Sequence, residues 1–123
     1  MTDATPAPAP YRDAALAVDE RVADLLGRMT RAEKLAQLGA VWPAELSDGE
    51  TFDPARASGC MAHGIGQITR VSGSTLADAE TATGLGQDIQ RWLRAETRLG
   101  IPAILHEESL HGLTALGAVV HPQ

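Results

Sequence analysis

Apolar residues in the first third of the chain recur at helical spacing. Val18, Val22, Leu25 and Leu26 fall on one side of a helix predicted over Asp19 to Leu26, with Gly27 as its stop. Thr30-Arg31-Ala32-Glu33 reads as a capping box: the Thr30 hydroxyl accepts from the third amide and Glu33 reaches back. Leu35 and Leu38 share the face of the helix that follows, and Gly39 ends it. Residues 40–52 carry Pro43, Ser47, Asp48 and Gly49 and read as a loop. Asp53-Pro54 is a helix start, with Asp as N-cap and Pro at the first helical position, for a helix to about His63 with Gly64 as its stop.

The pattern then changes period. Gly64 to Val71 is short, β-branched and flanked by turn residues, which predicts a strand. Leu85, Ile89, Trp92, Leu93 and Leu99 supply the apolar stripe of a long helix over Leu76 to Leu99, ended by Gly100 and Pro102. Ile101 to Leu105 is a continuous apolar run and reads as a buried strand of a parallel sheet. Strand, long helix, strand is a right-handed βαβ unit. Two strands do not complete a parallel sheet, so the chain is expected to be the front part of something larger: α/β, mostly helical with about two parallel strands. Residues 1–10 alternate Pro and Ala and predict a disordered, extended tail, leaving residues 11–123 as the folded portion.

Composition narrows the function classes. The 123 residues are 44% hydrophobic and 21% charged, as in a folded domain, but only 3% aromatic, so Leu, Ile, Val and Ala must build the core. Ten Lys plus Arg against sixteen Asp plus Glu give a net charge of −6, which argues against a nucleic-acid face. Lys34 stands in Glu33-Lys34-Leu35 and excludes a phosphate-binding GxxxxGK[ST] loop. The single cysteine, Cys60, excludes an intrachain disulfide and a CxxC site and reads as a small buried residue. No apolar run approaches the length of a membrane span, and Met1 to Ala4 does not open a secretory signal. The expectation is a cytoplasmic protein without cofactor, membrane or nucleic-acid partner.

The densest chemistry is His106-Glu107-Glu108-Ser109-Leu110-His111-Gly112, just after the second predicted strand. Ligands of α/β folds bind at the carboxyl ends of parallel strands. Carboxylates there accept hydrogen bonds from paired hydroxyls, and imidazoles donate them, which suits a sugar. The bland alternative is a solvated strand end. His106 and His111 lie five apart, not at the i, i+4 spacing of the HExxH zinc helix, which disfavours a metal. Ser109 lacks the GxSxG elbow, and Gly84-Leu85-Gly86 lies inside a helical pattern rather than at a strand–helix turn. His63 is read as a helix-end residue. Arg70 ends the first predicted strand at the same rim as Glu108, where an ion pair between the two is the favoured expectation.

Three blocks together carry a resemblance: Glu20 to Leu38, His63 to Gly73 (HGIGQITRVSG) and Glu96 to Gly112 (ETRLGIPAILHEESLHG). In order and content they resemble the opening of glycoside hydrolase family 3, most of all its β-glucosidase/β-xylosidase branch. The resemblance runs from about Tyr11 to Gln123. It implies the first part of a (β/α)8 barrel, and a retaining exo-acting hydrolase that removes terminal β-linked glucose or xylose. Such enzymes use a carboxylate nucleophile and a carboxylic acid/base. The family's nucleophile lies late in the barrel and its acid/base usually in a second domain, so the resemblance places neither within these residues. Ser47-Asp48-Gly49 resembles the nucleophile motif only superficially, because it precedes the first predicted strand and lacks the aromatic.

The position that carries over is the acidic group four before the glycine of the HEESLHG segment, which holds sugar hydroxyls: Glu108, with Glu107 and His106 as neighbours and His111 as a structural member. A complete (β/α)8 barrel takes roughly 250 residues, so the isolated chain is expected to have no glycosidase activity and to need the remainder of a parent polypeptide. The alternatives are a non-catalytic sugar-binding module and the remnant of a longer gene product.

Overall fold

A computed structural model of the chain describes residues 9–48, 51–75, 77–119 and 121–122. Most of the expected Pro/Ala tail, Gly49, Leu76 at the expected start of the long helix, and Gln123 lie outside them. The first helix, α1 (Val18–Arg28), runs through Gly27 and gives way to extended backbone at Met29. The capping box at Thr30 opens α2 (Arg31–Ala36): Glu33 N donates to Thr30 Oγ1 (3.2 Å), and Thr30 N donates to Glu33 Oε2 (2.7 Å). Asp53 caps α3 (Pro54–Cys60) by accepting from the amides of Ala55 and Arg56. That helix stops at Cys60, earlier than the expected His63, and Cys60 is exposed rather than buried.

The expectation of about two strands falls short by one. β1 (Ala40–Val41), β2 (Gln67–Thr69) and β3 (Ile104–His106) form a parallel sheet in the order β1-β2-β3. β1 lies where a loop was expected. It is two residues long, and its strand identity comes from pairing with β2, which a local pattern does not carry. The expected long helix is α5 (Ala79–Glu96), which stops at Glu96 rather than Leu99, and a short helix that the local pattern does not predict, α4 (Val71–Thr75), precedes it. Asp78 caps α5 by accepting from Thr81 N (2.8 Å), which holds its carboxyl below the usual range.

Register divides the sheet into two faces. Val41, Ile68 and Leu105 align on one of them, as do Ala40, Gln67 and Ile104 on the other. The first face packs on the core, where Ile68, Leu46, Met61, Leu85, Ile89 and Leu93 are fully buried. Leu105 reaches to 3.3 Å from where a Cβ on Gly86 of α5 would stand. The second face is open, with Ala40 and Gln67 exposed and Ile104 66% exposed. The strand expected to be buried, β3, is therefore an edge strand, with Leu105 as well as Ile104 exposed. Gln90 of α5 secures its entry: Nε2 donates to Ala103 O (2.7 Å) and Oε1 accepts from Ala103 N (3.0 Å). A groove of about 650 Å³ runs between α5 and β3, lined by Ala82, Gly86, Gln90, Arg94 and Leu105 among others.

The expected apolar face of α1 is not inside. No residue of α1 is buried, and Val18, Val22 and Leu26 are exposed. Polar contacts anchor the helix instead. Arg28 grips Asp24 through two hydrogen bonds (2.8 and 2.9 Å), Asp24 accepts from Tyr11 N, and Tyr11 Oη donates to Leu99 O (2.8 Å). The Arg28 guanidinium holds the Asp24 carboxyl below the usual range, against the opposing effect of burial. Among the described residues no helix is long and apolar enough to cross a membrane.

Candidate functional site

The carboxyl ends of the three strands converge on one rim. β1 ends into Trp42, β2 into Arg70, and β3 into Glu107 and Glu108. A short turn at each end exposes functional side chains while the strands hold their spacing, the usual arrangement for sites on parallel sheets.

Arg70 is the most constrained of these residues. Its backbone is left-handed (φ 55°), the only non-glycine residue among those described with positive φ. Such a conformation costs of order 1 kcal/mol or more unless the surroundings enforce it. Here they do. Arg70 N donates to His106 O (2.7 Å), and Arg70 O accepts from Ser74 N (3.0 Å) and Ser74 Oγ (2.7 Å). The guanidinium lies against Gly73: a Cβ there would stand 3.1 Å from both Nε and Nη2, and 2.8 Å from Thr114 O. Nη1 reaches Glu108 Oε2 at 3.4 Å, the expected ion pair. Arg70 Nε is buried and has no hydrogen-bond partner among the described residues.

The two adjacent carboxylates have different roles. Glu107 turns back to the start of α4, where Oε1 accepts from Ser72 N (2.6 Å) and Oε2 from Gly73 N (3.3 Å). Both of its oxygens thus cap the helix, while the half-buried side chain also lines the groove beside α5. Glu108 keeps 74% of its side chain exposed and, among the described residues, has the long contact to Arg70 as its one ion pair. It is the carboxylate free to accept from a ligand hydroxyl.

His106 lies one strand away from Thr69 in register, and its Nε2 pairs with Thr69 Oγ1 at 3.0 Å. His111 is held through its backbone, its carbonyl accepting from His121 N (2.6 Å). Gly112 (φ 96°) permits this closure, since a Cβ there would stand 2.4 Å from Val119 O. Ser109 is exposed. Among the described residues no three His, Cys, Asp or Glu side chains gather as metal ligands.

Sequence reasoning missed two members of the rim. In the sequence Thr69 is only part of a strand, whereas in the structure its hydroxyl meets His106. Trp42 falls in the loop that the sequence predicts over residues 40–52, and the pairing of β1 with β2 puts it at a strand end. The one pointer in the sequence is scarcity, Trp42 being one of only four aromatic residues, and its exposure is a property of the fold.

No family model matches the chain. It is similar to three curated proteins. It is 38% identical over 111 residues to the probable beta-glucosidase C of Aspergillus flavus, and 37% over 119 residues to the probable beta-glucosidase C of Aspergillus oryzae. It is 33% identical over 106 residues to the beta-glucosidase C of Emericella nidulans. These alignments cover 85%, 91% and 85% of this chain, but 17%, 17% and 16% of the relatives. The chain thus spans about a sixth of the length of the curated relatives it matches, and its likeness to them is that of a glycosidase-like segment.

Proposed function

We propose that the chain is the N-terminal part of a retaining exo-acting β-glycosidase of glycoside hydrolase family 3, and that Glu108 holds hydroxyls of the terminal β-linked sugar. The observation that carries this reading is Glu108 itself: an exposed carboxylate at the carboxyl end of a parallel strand, steadied by Arg70. The beta-glucosidase names of the relatives support the substrate class, with xylose as the other member of that class. His106 contributes a hydrogen bond beside it, and Glu107 supports the segment by capping α4.

In this reading the sheet continues beyond β3 toward a (β/α)8 barrel. The open edge of β3 and the groove beside α5 support that: a further parallel strand satisfies the edge, and a following helix fills the groove. The open face of β1-β2-β3 becomes the barrel interior. The partner is the remainder of a longer polypeptide, which brings the nucleophile and the acid/base. Retaining hydrolysis needs two carboxyl groups about 5–5.5 Å apart, and in this reading neither is Glu107, whose two oxygens each accept a backbone amide at the start of α4.

Two measurements test this. A chromogenic β-glucoside incubated with the 123-residue chain is expected to release no chromophore; turnover overturns the division of labour. Titration with methyl β-D-glucopyranoside, followed by NMR, is expected to shift amide signals of the 106–112 segment. Glu108→Gln removes the charged acceptor and should weaken binding about tenfold or more, the effect of one charge-assisted hydrogen bond. Binding unchanged in Glu108→Gln removes Glu108 from the sugar site.

A further inference from the structure

We infer that Trp42 is a carbohydrate-stacking residue of the same site, the aromatic wall facing the Glu108 carboxylate across the rim. This rests on the glycoside reading above and adds to it a residue on a different strand.

Trp42 follows Val41 with extended backbone (φ −86°, ψ 143°), so the alternation of β1 carries one residue past its last pair. That places Trp42 on the Ala40 side of the sheet, the open face, opposite buried Val41. Extending the register by one residue aligns it with Thr69, which is itself paired with His106. Trp42, Thr69 and His106 therefore form one row across the carboxyl end of the open face. The row ends two residues before Glu108.

The chemistry of the row fits a pyranoside. Sugar rings present an apolar C–H face and an equatorial belt of hydroxyls. The first stacks on indole; the second needs carboxylate, hydroxyl and imidazole partners. Two interstrand spacings separate the backbones of β1 and β3 by about 10 Å, the scale of one pyranose with its contacts. The indole is free to take this role. Trp42 is 45% exposed, whereas the other three aromatic side chains are partly buried, Phe52 and Trp92 edge-to-face on each other at 6.4 Å. Its backbone is held in place: Trp42 N donates to Glu45 Oε1 (3.1 Å), and Trp42 O accepts from Glu45 N (2.9 Å), closing the turn over Pro43–Glu45.

The test uses the 15N-labelled 123-residue chain and methyl β-D-glucopyranoside. The two indole N–H signals are assigned with Trp92→Phe. The glucoside is expected to shift the Trp42 indole signal and leave that of Trp92 in place. Trp42→Ala should weaken binding about tenfold, equivalent to ~1.4 kcal/mol, and Trp42→Phe should recover part of it. An unmoved Trp92 signal in Trp42→Ala shows that the fold is intact. If the glucoside moves the 106–112 amides but not the Trp42 indole, and Trp42→Ala binds like wild type, the stacking role is overturned while the glycoside reading stands. If no signal moves, or if Glu108→Gln binds unchanged, the glycoside reading fails and the role of Trp42 fails with it.

Discussion

Replacing Gly66 with alanine is expected to destabilise the chain by about 3 kcal/mol or more, because the added methyl has no room and its neighbour cannot yield. An ideal Cβ on Gly66 stands 1.9 Å from Gln37 O and 2.7 Å from Gln37 C, both backbone atoms at the end of α2. Gly66 is tied on both sides at this point. Its N–H donates to Ala36 O (3.1 Å), and its carbonyl accepts from Ile104 N (2.8 Å), so any retreat breaks the link from α2 to β2 or from β2 to β3. Two control substitutions carry the opposite sign. Gly27 and Gly59 lie in α1 and α3 with nothing within 4 Å of a Cβ, and alanine there should stabilise by roughly 0.5–1 kcal/mol through helix propensity. Urea midpoints of the three variants check this. A Gly66→Ala midpoint equal to wild type would show that β2 is not held this closely against α2.

The second large effect concerns Glu33. It is buried, caps α2 through Thr30, and receives Arg98 Nε (2.9 Å) and Nη2 (2.5 Å) from beyond α5. Arg98 also donates to Arg28 O (2.8 Å), so one guanidinium joins the end of α1, the start of α2 and the segment leading to β3. The Arg98 guanidinium, helped by the Thr30 amide and hydroxyl, holds the Glu33 carboxyl at about 2, against the opposing effect of burial. An unfolded glutamate titrates near ~4.3. Because the folded value is the lower one, the stabilisation is fully present above the unfolded value and is lost as pH falls toward 2. Asp24 and Asp78, also held low, add in the same direction. Thermal unfolding temperature is therefore expected to fall steeply below pH 5. Glu33→Gln should lower stability at pH 7 by about 2 kcal/mol and make the decline toward pH 2 shallower. A pH profile of Glu33→Gln parallel to that of wild type would contradict this account.

Much of the architecture was legible because its signals are local. Capping residues at Thr30, Asp53 and the long helix's apolar stripe need only neighbours in sequence, and each stands where those neighbours put it. The ion pair of Arg70 with Glu108 followed from both residues ending adjacent strands. The misses are non-local. β1 has two residues and exists through hydrogen bonds to a strand more than twenty positions away. The amphipathic stripe of α1 correctly marked a helix, but periodicity does not say what covers the face, and Val18, Val22 and Leu26 remain outside.

The candidate site divides in the same way. The amino-acid sequence by itself determined that carboxylates and imidazoles cluster after an apolar run, since residue type and spacing are properties of the chain. The resemblance singles out Glu108 without giving a physical reason, which only the tertiary structure supplies: the amides of Ser72 and Gly73 bind Glu107 and leave Glu108 exposed, because α4 starts beside the end of β3. The tertiary structure also decided that Thr69 meets His106 and that Trp42 follows the end of a strand paired with β2, since strand register, which no local pattern encodes, sets these positions.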